Sequence, residues 1–140
     1  MSQITCDIVD LKKRLYRNKD CQMVVVPGKA GEMGFMEGHV PTLTKLTDGA
    51  IRAHLNDGTV AIAATQGGYA YCTGGLVYVL ADRSCMAEDI NLEEVSAERA
   101  ELEAKFKEIE ADSIDQKVIA RKIRWCDIRT KVKQEAGSRN

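Results

Sequence analysis

The sequence predicts an α+β protein of two domains: an antiparallel β-sandwich over residues 1–87, then an antiparallel two-helix hairpin over residues 88–140. Three observations carry this. Before residue 88 the apolar residues recur every second position or in short unbroken runs, as strands require. Turn-forming pairs and triplets rich in Gly, Pro, Asn and Asp punctuate those runs. From Glu88 glycine vanishes until Gly137, and Glu, Lys, Arg and Ala take over.

The strands are read in order. Ile4, Cys6 and Ile8 alternate with Thr5, Asp7 and Val9, and residues 23–26 form an apolar run ending at Pro27-Gly28. Ile51, Ala53 and Leu55 alternate with Arg52, His54 and Asn56, which leaves His54 solvated on the polar register. Residues 60–64 and 76–80 are two further apolar runs. Asp48-Gly49, Gly67-Gly68 and Gly74-Gly75 mark turns, and Asn56-Asp57-Gly58 predicts a tight hairpin of the primed type. Many short strands at close spacing mean a sandwich or barrel. The helices are expected over 91–111 and 116–135, with Asn91 and Ser113 as N-caps and a frayed tail from about 136. Leu92, Val95, Leu102, Phe106 and Ile109 fall at helical spacing in the first, and a broader apolar face runs from Val118 to Val132 in the second.

Composition narrows the function. A net charge of −1 gives no electrostatic reason to expect nucleic acid, and aromatic stacking platforms are scarce. No segment approaches the ~20 apolar residues of a membrane span. Met1 to Thr5 lacks the basic and apolar regions of a signal peptide, so a soluble protein without direct membrane insertion is expected. The five cysteines are odd in number and lack metal-ligand spacing. They read as small buried hydrophobes, with no metal site and no cofactor. No nucleophile elbow or phosphate-cradling loop is present, which argues against an enzyme acting alone.

The helices differ in charge: the first is acidic, the second basic. In one reading these charges pair when the hairpin closes. In the other, the second helix leaves the first and carries Arg121, Lys122, Arg124, Arg129, Lys131 and Lys133 to an acidic surface elsewhere. Exposed pairs are worth only ~0–1 kcal/mol each, so a closure built on them is weakly held and open to switching.

The most specific stretch is Gly31-Glu32-Met33-Gly34-Phe35-Met36-Glu37-Gly38-His39-Val40-Pro41-Thr42-Leu43. It reads as a shaped loop in which Gly31, Gly34, Gly38 and Pro41 set the backbone and Glu32, Glu37 and His39 are presented outward. This run resembles the signature of the epsilon subunit of bacterial F-type ATP synthases. Thr47-Asp48-Gly49-Ala50-Ile51-Arg52 is similar to that family's Pro-Gly segment, with Asp48 in place of proline. Gly67-Gly68 and Val79-Leu80-Ala81-Asp82 match further pieces in the right order.

The resemblance implies a ten-stranded sandwich with a helical hairpin and a non-catalytic rotor role in the central stalk. The partners it implies are the gamma subunit, the c-subunit ring, and the alpha and beta subunits of the catalytic head when the hairpin extends to inhibit ATP hydrolysis. It places the chain peripherally, at the cytoplasmic face of the bacterial plasma membrane, in a proton-transporting complex. Carried over by position, Glu32 and His39 face the c ring, while His39 also reads as a structural histidine. Some relatives bind ATP at the start of the first helix. Here Asn91 stands for the acid of that motif and Glu94 for its arginine, which argues against tight binding and leaves Arg99 and Arg121 as candidates for a weak nucleotide contact. The alternative reading is a free-standing adaptor or nucleotide-sensing module of the same fold.

Overall fold

The computed structural model describes residues 3–138. Nine strands precede the helices: β1 (Ile4–Val9), β2 (Arg14–Gly28), β3 (Gly31–Met36), β4 (Thr42–Lys45), β5 (Gly49–Leu55), β6 (Val60–Gln66), β7 (Tyr69–Thr73), β8 (Leu76–Leu80) and β9 (Arg83–Met86). They pair in the order β4-β7-β8-β1-β2-β5-β6-β9, with β3 also on β2. All pairings are antiparallel except β1 with β8.

The path folds into two layers because β2, 15 residues long, serves both. Its first half pairs with β1 and its second half with β3 and β5. Cys21 pairs with Ile4 on one side and Leu55 on the other, and the ladder to β5 slips register just after it. Such slips let one strand turn a corner between sheets. A strand shared between layers also gives a count of nine where ten were expected.

Two apolar clusters result. The first fills the sandwich between the layers and includes Ile4, Cys6, Ile8, Val24, Val26, Phe35, Ile51, Val77 and Val79. The second lies outside it, where Ala50, Ile62 and Ala64 on the outer faces of β5 and β6 meet Val95, Leu102, Cys126, Ile128 and Val132 of the helices. With Ala63 packed inward and Ile62 and Ala64 outward, β6 is buried on both faces. Its sequence is therefore a continuous apolar run rather than an alternating one. The alanines at 50 and 64 leave room for a helix to approach the sheet.

A 3-10 turn (Ala87–Asp89) leads to α1 (Leu92–Glu108) and α2 (Ile114–Ser138). Asn91 Oδ1 accepts from the backbone N–H of Glu93 (2.9 Å) and Glu94 (3.2 Å). Ser113 Oγ accepts from Gln116 N, and the Gln116 side chain reaches back to Asp112 N. Both caps stand as the sequence predicts. The expected tail from about 136 is corrected: α2 continues through Gly137 to Ser138. Arg139 and Asn140 lie outside the described residues. Cys6, Cys21, Cys72 and Cys126 are buried and Cys85 is half-buried; all are free thiols, and burial pushes Cys85 up to about 11.

The Asn56–Gly58 hairpin is present, but with a different turn. Gly58 has φ +91° and donates to Leu55 O, while no non-glycine residue there has positive φ. A primed turn needs positive φ at its first central residue at least, and neither Asn56 nor Asp57 has it, so this is a turn closed by a left-handed glycine. Asp57 Oδ1 instead holds the loop, accepting from Thr59 N and Oγ1.

Gly68 shows where the fold tolerates no side chain. Its φ is +105°, and a Cβ there meets Leu80 O at 2.1 Å and Ala81 Cα at 2.7 Å. Its carbonyl also accepts from Leu46 N. Gly68→Ala is expected to lose at least about 3 kcal/mol, from backbone strain plus overlap with backbone atoms that cannot rotate away. Urea denaturation measures this; a loss below about 1 kcal/mol would mean that the turn simply yields.

Candidate functional site

The glycine-rich run is not a loop throughout. Residues 31–36 are strand β3, paired in full with β2 from Met23↔Met36 to Gly28↔Gly31. The turn follows: His39 N donates to Met36 O at 3.1 Å, and Gly38 sits at φ +86°, which a side chain would resist. Pro41 leads directly into β4. Gly31 opens β3, and Gly34 lies over Met23, whose Sδ is 3.2 Å from where a Cβ would stand.

This geometry separates the two polar residues of the run. Glu32 is exposed at the start of β3, opposite Pro27. His39 lies beyond the other end. From Glu32 to Phe35, on whose ring His39 packs, is already about 10 Å of extended strand. The imidazole is half-buried, edge-on to Phe35 at 4.9 Å between centroids and 82° between planes. His39 Nδ1 lies 2.8 Å from Val40 O. A carbonyl only accepts, so Nδ1 carries the proton and Nε2 is the acceptor in the neutral ring. His39 therefore has a structural bond and shelf, and one nitrogen left for a partner. His54 is half-buried on β5, between Met23 and Val60 in register, and is not simply solvated.

Glu32 belongs to a cluster that sequence reasoning missed. Arg52 on β5 points out of the sandwich toward α2. Its Nε and Nη2 donate to Glu135 Oε2 and Oε1 at 2.9 and 2.5 Å, and its Nη1 donates to Glu32 Oε2. The hydrogen bonds to Glu135 are the largest cause raising the arginine pKa, so its charge is fixed. A cleft of about 440 Å³ opens beside this triad, bordered by Asp48, Arg124 and Lys131. No sequence signal joins residues 83 positions apart; only their outward register hints at it.

The basic residues of α2 do not form one free face. Arg124 Nε donates to Asp48, and Arg121 Nη2 lies 3.4 Å from Asp82 Oδ2. Lys133 Nζ donates to Ala87 O at 3.1 Å, and Gln66 Nε2 donates to Arg121 O at 3.2 Å. These four contacts fasten α2 to the sandwich, not to α1. Arg129 pairs with Glu98 of α1, holding that carboxyl below its usual range, and its guanidinium lies 5.3 Å from the Trp125 ring. Lys122 and Lys131 are exposed. Pairing between the oppositely charged helices is thus only part of the closure. Asp48, which stands where the resembled family has proline, provides one of the clasps.

Arg99 and Arg121 are not brought together. Arg99 is held between Asp127 and Glu103, and Asp127 is about 9 Å along α2 from Arg121. Asn91 is engaged as a cap, and the cleft of about 410 Å³ beneath the first turn of α1 is lined by Asp89, Glu94 and Glu98 against Arg129. Among the described residues there is no cluster that could hold a metal ion, and no helix is long and apolar enough to cross a membrane.

On the opposite layer the outer sheet face is rich in apolar side chains, with the exposed Lys45 at its edge beside Tyr69. Leu43, Tyr71 and Tyr78 lie side by side across β4, β7 and β8, and Tyr69 and Leu80 form the next row. Leu43, Tyr69, Tyr71 and Leu80 are 40–66% exposed, and the helices do not cover them. At the end of this face Asp7 is buried beneath Arg14 (3.0 Å) and Arg17 (2.7 Å).

Residues 3–87 match the family model described as the ATP synthase delta/epsilon chain β-sandwich domain. The chain belongs to the ATP synthase delta/epsilon family. It is 38% identical over 100 residues to the ATP synthase epsilon chain 2 of Ralstonia nicotianae, covering 71% of this chain and 70% of that one. It is 34% identical over 91 residues to the ATP synthase epsilon chain of Acinetobacter baylyi, covering 65% of each. The fold matches a chain of the Euglena gracilis mitochondrial ATP synthase with a TM-score of 0.68 at 18% identity, over 98% of this chain and 82% of that one. It also matches one from the central stalk and c-ring structure of the Tetrahymena thermophila mitochondrial enzyme, with a TM-score of 0.61 at 12% identity, over 93% and 96%.

Proposed function

We propose that this chain is a non-catalytic rotor subunit of the central stalk. It joins the gamma subunit to the c-subunit ring and restrains ATP hydrolysis when its hairpin opens. The family match across the sandwich carries the stalk assignment. The bare apolar face around Leu43, Tyr69, Tyr71 and Leu80 suits a large protein partner, since patches of this kind mark interfaces, and we assign it to gamma. The exposed carboxylate of Glu32 and the open Nε2 of His39 suit a polar contact, and we assign them to the ring. They reach it as two contacts, one at each end of β3.

The way α2 is held supports the regulatory role. Arg121, Arg124 and Lys133 are occupied by Asp82, Asp48 and the Ala87 carbonyl while the hairpin is docked. Opening would release these cations for acidic segments of the beta subunits. Exposed pairs contribute ~0–1 kcal/mol each, so the apolar cluster beneath the helices carries most of the docking and the charges set how readily a competing acidic surface displaces α2. The chain holds ATP weakly or not at all, because Glu94 and its neighbouring acids repel phosphate. The bacterial plasma membrane, at its cytoplasmic face, is the site we assign to the complex.

The test is ATP hydrolysis by the soluble catalytic head containing gamma, with and without this chain, alongside gel filtration. Co-elution with lowered hydrolysis is expected. Failure to co-elute would end the stalk assignment, and co-elution at an unchanged rate would end the braking role.

A further inference from the structure

Arg52 touches both the residue assigned to the ring and the docked hairpin. Only 17% of its side chain is exposed, and it is shared by two carboxylates, Glu135 of α2 through Nε and Nη2 and Glu32 of β3 through Nη1. One positive charge cannot satisfy two negative charges fully. Each acid weakens the hold that the guanidinium has on the other, and the two acids repel.

We propose that Arg52 is a positioning residue that couples the ring contact of Glu32 to docking of the hairpin, such that a ring engaged through Glu32 favours the docked state. The coupling rests on the assignment of Glu32 to the ring. When Glu32 turns to a ring group, Arg52 is left to Glu135 alone and α2 is held more firmly. When α2 lifts away, Arg52 loses the acid that occupies two of its nitrogens. Its freed edge then turns to Glu32 and holds that carboxylate back from the ring. The effect is reciprocal, as any binding linkage must be. Glu32 has freedom to make the exchange: its side chain is 60% exposed and borders the open cleft beside the triad. Glu135, at 30% exposure, is the more enclosed of the two acids.

The experiment follows the docked fraction of the full chain by energy transfer between one dye on the sandwich and another on the first half of α2. Glu135→Gln is expected to lower the docked-to-open ratio, and Glu32→Gln to raise it about two- to fivefold, the range for partly exposed charges. In an Arg52→Gln background the Glu32→Gln shift should shrink to what direct repulsion between the two acids leaves. If that variant does not fold, Arg52→Lys, which keeps the charge but loses the fork, should shrink the shift. A purely structural Arg52 would not make the two acids act in opposite directions. The coupling is overturned if Glu32→Gln leaves docking unchanged or loosens it, or if its shift is undiminished without the arginine fork. Adding purified ring should raise docking of the unsubstituted chain but not of Glu32→Gln. Co-sedimentation on the same samples reports ring binding separately. Ring binding unaffected by Glu32→Gln would sink the assignment of Glu32 and the ring half of the coupling. Ring binding weakened by Glu32→Gln without a docking shift would sink the coupling alone.

Discussion

Removing residues 88–140 will raise ATP hydrolysis by the assembled head while leaving the chain bound to the stalk. The sandwich keeps its own core on truncation, because the cluster between its layers is built entirely from strand and turn residues up to Met86. What it loses is the second cluster, and the residues uncovered on the sandwich side are Ala50, Ile62, Ala64 and Ala87, with Val60 and Cys85 beside them. Three of these six are alanines, so the new apolar surface centres on Val60 and Ile62 and is modest, and the truncated chain should stay soluble. The face assigned to gamma lies on the other layer, and Glu32 and His39 lie on β3 and its turn, so neither contact is cut away. Loss of Glu135 does turn Arg52 to Glu32, which weakens the ring contact while gamma keeps the chain on the stalk. The cations that the brake needs all go with α2. Hydrolysis assays and co-elution on the same preparation check both halves. A truncated chain that folds but no longer joins the complex would refute the division of labour between the domains.

Phe35→Ala will destabilise the sandwich by about 3–5 kcal/mol, the range for removing a fully buried aromatic ring. Phe35 is 0% exposed on β3, which among the described residues pairs with β2 alone. The cavity would therefore open beneath an element with little else to hold it. The ring is also the shelf for His39, and an edge-to-face pair adds about 0.5–1.5 kcal/mol beyond burial. Two readouts should move together: the urea midpoint, at unchanged slope, and ring affinity through a loosened turn at 37–41. His39→Ala should weaken ring binding with little loss of stability. If Phe35→Ala costs less than about 1 kcal/mol, β3 is not anchored as described. If His39→Ala destabilises as much as Phe35→Ala, the histidine is a structural residue and its ring assignment fails.

Much of this was legible in the sequence because it is local. Period-two alternation and the Asn91 and Ser113 caps depend on residues within a few positions and were found where expected, and the Asn56–Gly58 hairpin is in place although its turn is of another type. The signals failed where a strand lacks them. The first half of β2 is polar and half-exposed, so Arg14 to Asp20 carries no apolar period, and β9 is only four residues long. Gly31 to Met36 was misread as loop because its glycines suggested turns, whereas pairing along the whole length of β2 makes it a strand.

The sequence by itself determined that a β domain precedes a helical hairpin, which residues cap the helices, that α2 is basic, and through a run of glycines which family to expect. Only the tertiary structure decided what those charges hold. Arg124 finds Asp48, Arg121 finds Asp82, and Arg52 stands between Glu32 and Glu135 because folding lays α2 across the outward registers of β5 and β6. Charge in a sequence says that a side chain can pair. Its partner is set by which surfaces the apolar clusters press together, and that is a property of the whole fold.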